Sequence, residues 1–259
     1  MWAERTGDSS WNYENLLPYF KKIEDYSGDF PSDQHGFGGP IPVTRPNYGP
    51  GLKTLYEAAE SLGYTIADPN GPQRVGFSPA DRSIRRGRRV SSFTGYIRPL
   101  LGLRSNLKIV TNARARRIIF EGNRAVGVIF NLNNTINGHV TEMIVRARKE
   151  IIVSSGTIES PTLLLKSGIG PKEVLQENRI TPVKYLPVGE NLHDQAAIRL
   201  QFLVNTNSPA EVFISARDLS PENFELYNAT GEGPYSVQSG RYGQAFYASK
   251  NAVREGNGD

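Results

Sequence analysis

The sequence predicts a mixed α/β protein in which helices are interspersed with short strands and hairpins. Residues 11–26 and 51–63 repeat apolar side chains at three- and four-residue spacing, which indicates two amphipathic helices. Residues 106–146 hold runs of β-branched and apolar residues separated by turn signals, which is typical of antiparallel hairpins. Residues 150–166 combine a short apolar run, a glycine turn and a helical pattern, as in the strand-to-helix units of α/β folds.

The N-terminal region is expected to alternate between helix and loop. Pro18 lies inside the first helical pattern and predicts a first turn or a kink there. The second helix is expected to end at Gly63, which suits a C-terminal cap. Residues 66–90 are expected to be irregular. A short helix should start at Ser91 and be ended or bent by Pro99.

Strand signals are clearest in the middle of the chain. They centre on three apolar runs, at Ile109–Val110, Ile118–Phe120 and Val126–Phe130. Glu121-Gly122-Asn123 suits a hairpin turn between the last two runs. Asn137-Gly138 is the strongest hairpin signal in the chain and is expected to join residues 125–131 to residues 140–146.

A tight turn over residues 154–157 is the place where local chemistry suggests a ligand. We expect a short buried strand to run from Glu150 to Gly156, followed by a helix over residues 159–166. Free amides at a helix start attract phosphate, and a glycine lets a ligand approach closely. The alternative is a strand-to-helix turn that binds nothing. Beyond it we expect a short helix over residues 171–180, a strand from Ala197, and a turn-rich remainder.

Composition excludes several classes of protein and site. The chain has 259 residues and no cysteine, so disulfides, thiolate catalysis and cysteine zinc sites are excluded. The three histidines are scattered, and no metal site is expected. Lys and Arg exceed Asp and Glu by 30 − 26 = 4, a weak argument for a polyanionic partner. No run of 18 apolar residues occurs, so no membrane span is expected, and the first residues are unlike a signal peptide.

One stretch carries a resemblance to a known family. GTIESPTLLLKSGIG, from Gly156 to Gly170, resembles the second signature of the glucose–methanol–choline (GMC) flavoprotein oxidoreductases, and all ten of its constrained positions match. Five further stretches resemble family segments in the same order: WNYENLLPYFKKIEDY, HGFGGPIPV, GRRVSSFTGYIRP, NLKIVTNARARRIIFEGNRAVGV and LPVGENLHDQ. The tail GEGPYSVQSGRYGQAFYASK resembles the arthropod glucose-dehydrogenase branch.

This resemblance implies a partial FAD-binding domain of the glutathione-reductase-like type, with a β-hairpin or meander, and part of a substrate domain built on an antiparallel sheet. Residues 1–34 would form a helical and loop segment at the FAD-domain interface. The remaining expected parts are the first part of the substrate domain (35–80), the centre of the FAD-binding domain (81–195) and a truncated continuation of the substrate domain (196–259).

The resemblance also implies FAD as cofactor and an alcohol or sugar as substrate, oxidised at its CH–OH group by hydride transfer to the flavin. In relatives, one backbone position meets the adenine end of FAD, and Ala115 occupies that position here. The turn formed by Ser155, Gly156 and Thr157 is expected to line the same cofactor site. No catalytic residue and no metal ligand is assigned.

Departures from the family pattern are equally informative. The family's G-x-G-x-x-G motif and its first signature do not occur, and its catalytic histidine lies in a C-terminal segment that this sequence does not reach. The sequence therefore resembles the central fragment of a longer enzyme. Alone, it is expected to be inactive, to bind little FAD and to aggregate through an exposed apolar edge. The last His of the family's N-L-x-D-H motif is Gln195 here, so the motif's final position departs from the family pattern.

Several alternative interpretations remain beside the enzyme fragment. The chain could be a catalytically dead remnant that acts as an interaction module. An arginine run over residues 82–89 suggests nucleic-acid binding as a hypothesis. No nucleic-acid motif accompanies the run, so no nucleic-acid partner is expected. His35, His139 and His193 are interpreted as turn, hairpin and loop residues. Two glycosylation sequons, Asn133-Asn134-Thr135 and Asn228-Ala229-Thr230, fit a secreted parent protein without establishing it.

Overall fold

A computed structural model describes residues 2–71, 75–133, 138–201, 212–237 and 242–248. Contacts within it define two compact units. The first unit holds the described residues up to Arg104 together with those from residue 212 onward, and the second is Ser105–Gln201. The predicted mixed α/β class is confirmed.

The helices are short, at most 11 residues each among the described residues. They are α1 (Trp2–Thr6), α2 (Tyr13–Ile23), α3 (Leu52–Ser61), α4 (Gly156–Lys166), α5 (Lys172–Glu177), α6 (Ser215–Asp218) and α7 (Pro221–Thr230). Short 3₁₀ segments lie at Ser9–Trp11, Arg98–Leu100 and Pro234–Ser236, and a π-helical segment lies at Phe93–Ile97.

The strands form small sheets of two or three members. They are β1 (Glu24–Ser27), β2 (Ile41–Thr44), β3 (Gly76–Pro79), β4 (Ile84–Arg85), β5 (Arg88–Arg89), β6 (Ala113–Glu121), β7 (Arg124–Asn133), β8 (Val140–Arg146), β9 (Ile169–Gly170), β10 (Lys184–Tyr185) and β11 (Gly243–Phe246).

In the first unit, α2 begins where the sequence predicts a helix. The Asn12 side chain accepts a hydrogen bond from the Asn15 backbone N–H at 2.9 Å, which satisfies one of the amides at the helix start. Pro18 is accommodated inside the helix. After Ile23 the chain enters β1 directly, and β1 pairs in parallel with β2.

Segments far apart in sequence meet in the same unit. Strand β3 pairs antiparallel with β11, so residues near 78 and near 244 share one sheet. Helix α3 ends as expected, since Gly63 has a φ of +81° just after the last turn. The core side chains of this unit are Tyr26, Leu52, Ala59, Ile84 and Val237.

The interval expected to be irregular, residues 66–90, contains β3, β4 and β5. Strands β4 and β5 form a minimal hairpin around Arg86 and Gly87, whose φ values are +49° and +69°. Two consecutive positive φ values suit the tight turns that join antiparallel strands. The helix expected from Ser91 is π-helical over Phe93–Ile97 and then 3₁₀.

The second unit is built on the antiparallel sheet β6-β7-β8. Gly122, with a φ of +59°, lies in the β6–β7 turn, as the sequence predicts. Strands β7 and β8 pair over Gly127–Asn133, which confirms the second hairpin, although Asn137 itself lies outside the described residues. Helix α4 packs beside β6, and the buried core comprises Ile118, Leu163 and Leu175.

Three predicted strands are wrong in the described residues. Glu150 to Gly156 forms no strand, and Ile152 is 80% exposed. Ile109 and Val110 are likewise outside any strand, as are residues 197–201. A strand needs a partner for its backbone N–H and C=O groups, and none of the described strands pairs with these segments. The part of the last prediction that falls on residues 202–211 lies outside the described residues.

The region that follows the strand predicted from Ala197 is expected to be turn-rich, but it contains a well-bounded helix, α7. The Ser220 side chain accepts a hydrogen bond from the Asn223 backbone N–H at 3.3 Å, and Pro221 takes the first helical position. Gly231 ends the helix in the left-handed conformation, with a φ of +80°. These start and stop signals are present in the sequence, but the helix is almost equally polar on all sides, so its periodicity is faint.

Candidate functional site

The bend into α4 is the centre of the candidate site. Gly156 has a φ of +87°, a conformation that side-chain-bearing residues rarely adopt, so the turn requires glycine. Apart from its chain neighbours and the backbone of its own helix, no heavy atom of the described residues lies within 4 Å of the position where a Cβ would be added, so the space beside Gly156 is open there. The bend therefore occurs at the predicted residue, although no strand precedes it.

Ser155 and Ser160 fix the geometry of this bend. The Ser155 backbone N–H donates a hydrogen bond to Ser160 Oγ at 3.0 Å. That amide is thus engaged within the protein, which leaves the amides of the first helical turn as the ones able to meet a ligand. Thr157 is exposed in this first turn.

A pocket of about 260 Å³ lies between the start of β6 and helix α4. Its lining residues are Ala113, Arg114, Ala115, Ser155, Glu159, Leu163 and Lys166. The structure thus brings together Ala115 and Ser155, two predicted site residues that lie 40 positions apart in the sequence. Gly156 and Thr157 follow Ser155 in the same turn, but they are outside the lining of this pocket.

Charged side chains surround the pocket. A nitrogen of the Arg114 guanidinium donates to Glu159 Oε1 at 3.1 Å, which links β6 to the first turn of α4. Both side chains are more than half exposed, so the pair contributes at most about 1 kcal/mol to stability. Lys166 adds a second cation from the last turn of the helix.

A wider groove of about 590 Å³ continues from the pocket and shares Arg114, Ala115 and Lys166 with it. Its further lining is Arg116, Arg117, Ile129, Asn131, Glu142 and Ile180. The pairing register of β6 and β7 shifts between Ala115 and Arg117, which indicates a bulge there. Because three arginines and Lys166 line the groove and Glu142 is its one acidic lining residue, the groove is predominantly cationic and suits an anionic ligand.

The residues present fit part of a dinucleotide. Complete small-molecule ligands occupy pockets of roughly 300–1,000 Å³, and this pocket is slightly smaller. Ala115 and Leu163 offer an apolar wall to a base, while Glu159 offers a hydrogen-bond acceptor and Arg114 a planar cation. The set suits an adenosine end, with the cationic groove beside it.

His35 is far from this pocket in sequence and belongs to the first unit. It lies in a turn, as predicted, but it is also 3% exposed and tightly bound. Its Nδ1 is 3.1 Å from Glu24 Oε1, and its Nε2 is 3.0 Å from Asp68 Oδ2. The Tyr26 ring stacks on the imidazole at 3.5 Å between centroids. His35 therefore connects β1 with the loop before β3.

Burial raises the pKa values of two acidic groups near this cluster. It raises the pKa of Tyr26 to about 12, because the phenolate would be poorly solvated there. It also raises the pKa of the Asp81 carboxyl. This cluster is a structural connection, and His35 is not among the lining residues of the two cavities described in this unit, although its partner Asp68 lines one of them.

Other residues that the sequence singled out are placed on the surface. His193 and Asp194 are exposed, as is His139. Within the arginine run, Arg85 donates to Asp25 Oδ2 at 2.9 Å. Across the described ranges, no group of three or more His, Asp or Glu side chains has an arrangement that could hold a metal ion, and no helix is long and apolar enough to cross a membrane.

Sequence reasoning did not identify Arg114, Glu159 and Lys166 as site residues. Arg114 and Glu159 are 45 positions apart and follow no local pattern that would pair them. Lys166 lies between constrained positions of the matched signature, which gave no reason to select it. Leu163 was a matched position, and its helical spacing from Glu159 places both on one face of α4.

Comparisons with known proteins agree with this architecture. A model of the GMC oxidoreductase family matches residues 1–197. The oxygen-dependent choline dehydrogenase of Pseudomonas fluorescens strain Pf-5 is 44% identical over 207 residues, which are 78% of this chain and 35% of that protein. The homologous enzyme of Pseudomonas entomophila matches to the same extent. The chain thus spans about a third of the length of these curated relatives.

Two solved structures extend the comparison. The crystal structure of pyridoxine 4-oxidase from Mesorbium loti matches with a TM-score of 0.63 and 33% identity, over 72% of this chain and 36% of that one. An FAD-dependent oxidoreductase from Chaetomium thermophilum matches over 97% of this chain and 46% of its own, with a TM-score of 0.78. At 24% identity, the second likeness concerns the fold alone. The family model covers most of the length of this chain, so the chain belongs to the GMC oxidoreductase family.

Proposed function

We propose that this chain is part of an FAD-dependent oxidoreductase that oxidises a CH–OH group of an alcohol or sugar, and that it supplies the site for the adenine end of FAD. The observation that carries the proposal is the pocket in which Ala115 and Ser155 meet, within a chain that belongs to a flavoprotein family. When bound, FAD supplies the acceptor for the hydride that leaves the carbinol carbon.

This chain's own residues would bind and orient the cofactor. The backbone at Ala115 and the apolar side chain of Leu163 would contact the adenine ring. The Glu159 carboxylate would accept a hydrogen bond from the exocyclic amine, and Arg114 would lie against the ring face. Gly156 and Thr157 would contribute amides of the first helical turn toward a phosphate.

The substrate is proposed only as a class. The two choline dehydrogenases and the pyridoxine 4-oxidase that match carry alcohol substrates in their names, which supports an alcohol. The resemblance to the arthropod glucose-dehydrogenase branch rests on the sequence of the tail, residues 231–250. Parts of that tail lie outside the described residues. The relatives reported above are bacterial choline dehydrogenases, so the sugar branch stays a prediction. We likewise retain the domain boundaries near residues 35, 81 and 196 as a proposal.

The adenine-end assignment is tested by titrating the chain with AMP and, in parallel, with FMN while following its backbone amide signals. We expect AMP to shift the signals of residues 113–115 and 159–163, and FMN, which has a phosphate but lacks adenine, to leave these signals unchanged. Glu159→Gln should weaken AMP binding about threefold to tenfold, because the amide oxygen can still accept the hydrogen bond but no longer carries a charge.

Glu142→Gln is the matched control, because Glu142 lines the neighbouring groove but not the pocket. It should leave the AMP affinity unchanged. An AMP response confined to other residues, or an equal response to FMN, would show that the pocket does not recognise adenine.

One observation favours a second candidate, an interaction module. Strand β8 is exposed at every residue, and Val140, Ile144 and Val145 are each more than half exposed. An apolar outer strand of this kind can pair with another chain. This candidate predicts self-association that does not depend on AMP or FAD, which sedimentation measurements would detect.

A further inference from the structure

Ser167 has a role that neither the pocket lining nor the family match assigns. It lies just after the last residue of α4 and is 5% exposed. Its hydroxyl donates a hydrogen bond to the Leu163 carbonyl at 2.5 Å and accepts one from the Ile118 backbone N–H at 2.8 Å. One buried hydroxyl thus connects the end of the helix to strand β6.

Both ends of this connection lead to the pocket. Leu163 lines the pocket directly. Ile118 lies three residues after Ala115 on β6, which is an outer strand of its sheet in the described structure. A second polar link between β6 and α4 is the exposed pair Arg114–Glu159. The buried link through Ser167 is therefore the firmer constraint on how far Ala115 lies from the helix.

The turn around Ser167 has little room to adjust. Gly168 has a φ of +88°, and a Cβ added there would lie 2.5 Å from the Thr181 carbonyl oxygen. The Gly168 carbonyl in turn accepts hydrogen bonds from the Val183 and Lys184 backbone N–H groups at 2.7 and 3.1 Å. With its successor held in this way, Ser167 cannot move to follow β6, and its hydroxyl fixes the spacing between the two elements.

We propose that Ser167 is a positioning residue that holds β6 against α4 and thereby sets the width of the adenine pocket between Ala115 and Ser155. This inference rests on the proposed function of that pocket. It predicts that the hydroxyl governs both the stability of β6 near Ala115 and the affinity for the adenine end of the cofactor.

The test compares Ser167→Ala with Thr162→Ala and Ser167→Thr. Thr162 is the matched control, because its hydroxyl donates a hydrogen bond within α4, to the Ile158 carbonyl, and not to β6 in the described structure. Hydrogen exchange of the unliganded chain is measured over residues 113–118, and AMP affinity is measured by titration. Far-UV circular dichroism establishes that each variant is folded.

Ser167→Ala should speed exchange over the whole of residues 113–118 and weaken AMP binding about tenfold, since the Ile118 N–H loses its acceptor. Thr162→Ala should change neither quantity, and Ser167→Thr should recover both because it keeps the hydroxyl. Faster exchange at Ile118 alone, with unchanged AMP affinity, would reduce Ser167 to a local structural role and overturn the inference. If the unaltered chain shows no AMP response at all, the proposed function fails, and the inference fails with it.

Discussion

At the scale of single residues, the backbone requirement at Gly156 is the clearest link between sequence and structure. Its left-handed φ of +87° lets the chain turn into α4 without steric conflict. The open space beside it indicates that the glycine serves the turn rather than close packing in the chain itself. A substitution there should therefore reveal strain in the backbone and not a clash.

Gly156→Ala should lower the free energy of unfolding by about 1–2 kcal/mol, the cost of a left-handed conformation for a residue with a Cβ. Gly156→Asn should lower it less, because Asn tolerates this conformation better. Urea denaturation measures both. An alanine variant as stable as the unaltered chain would contradict the assigned backbone geometry.

His35 shows what residue-level sequence reasoning can miss. The sequence placed it in a turn, and it does lie in one, but nothing local indicated that its two ring nitrogens face Glu24 and Asp68. Those carboxylates are 11 and 33 positions away along the chain, so their meeting depends on the fold of the whole first unit.

His35→Ala should destabilise the protein by about 3 kcal/mol, because two largely buried carboxylates would lose their shared partner. His193→Ala, at an exposed position, is the control and should change stability by less than about 0.5 kcal/mol. Thermal or urea unfolding provides the comparison. Equal effects of the two substitutions would mean that the His35 contacts contribute little.

At the scale of elements, predictions succeeded where the signal was local and failed where a partner was needed. The hairpin that turns at Gly122 was predictable because turn residues and apolar runs lie together in sequence. The run Glu150–Ile151–Ile152–Val153 has strand-like composition, but composition does not supply a neighbouring strand. The sequence does not predict helix α7, because the helix has weak apolar periodicity. Its two ends, at Ser220 and Gly231, are nevertheless well marked.

The outer strand β8 gives an element-scale prediction. In the described residues β8 is the last strand of its sheet, and its exposed apolar side chains and outer backbone edge should promote self-association. Ile144→Lys should shift the chain toward the monomer in sedimentation velocity experiments, because it removes an exposed apolar side chain and also places a charge on the outer strand.

Thr141 lies on the same strand, and Thr141→Lys is the control for added charge alone. It should have a smaller effect, since Thr141 contributes no large apolar surface. Self-association that neither substitution reduces would place the contact elsewhere on the chain.

At the scale of the whole molecule, the candidate site depends on residues that only folding brings together. The family resemblance pointed to Ala115 and to the turn at Ser155, and the structure puts both on one pocket. The charged pair Arg114–Glu159 and the hydroxyl of Ser167 had no comparable signal, because each acts across two elements. Family membership is established over residues 1–197, while the reaction of the complete enzyme remains our proposal.

The most direct test of this account is an experimental structure of the chain with AMP bound. We predict that the adenine ring lies between β6 and α4, in contact with Ala115 and Leu163 and with its amino group facing Glu159. A structure in which AMP is well ordered somewhere else, with this pocket closed, would contradict the account.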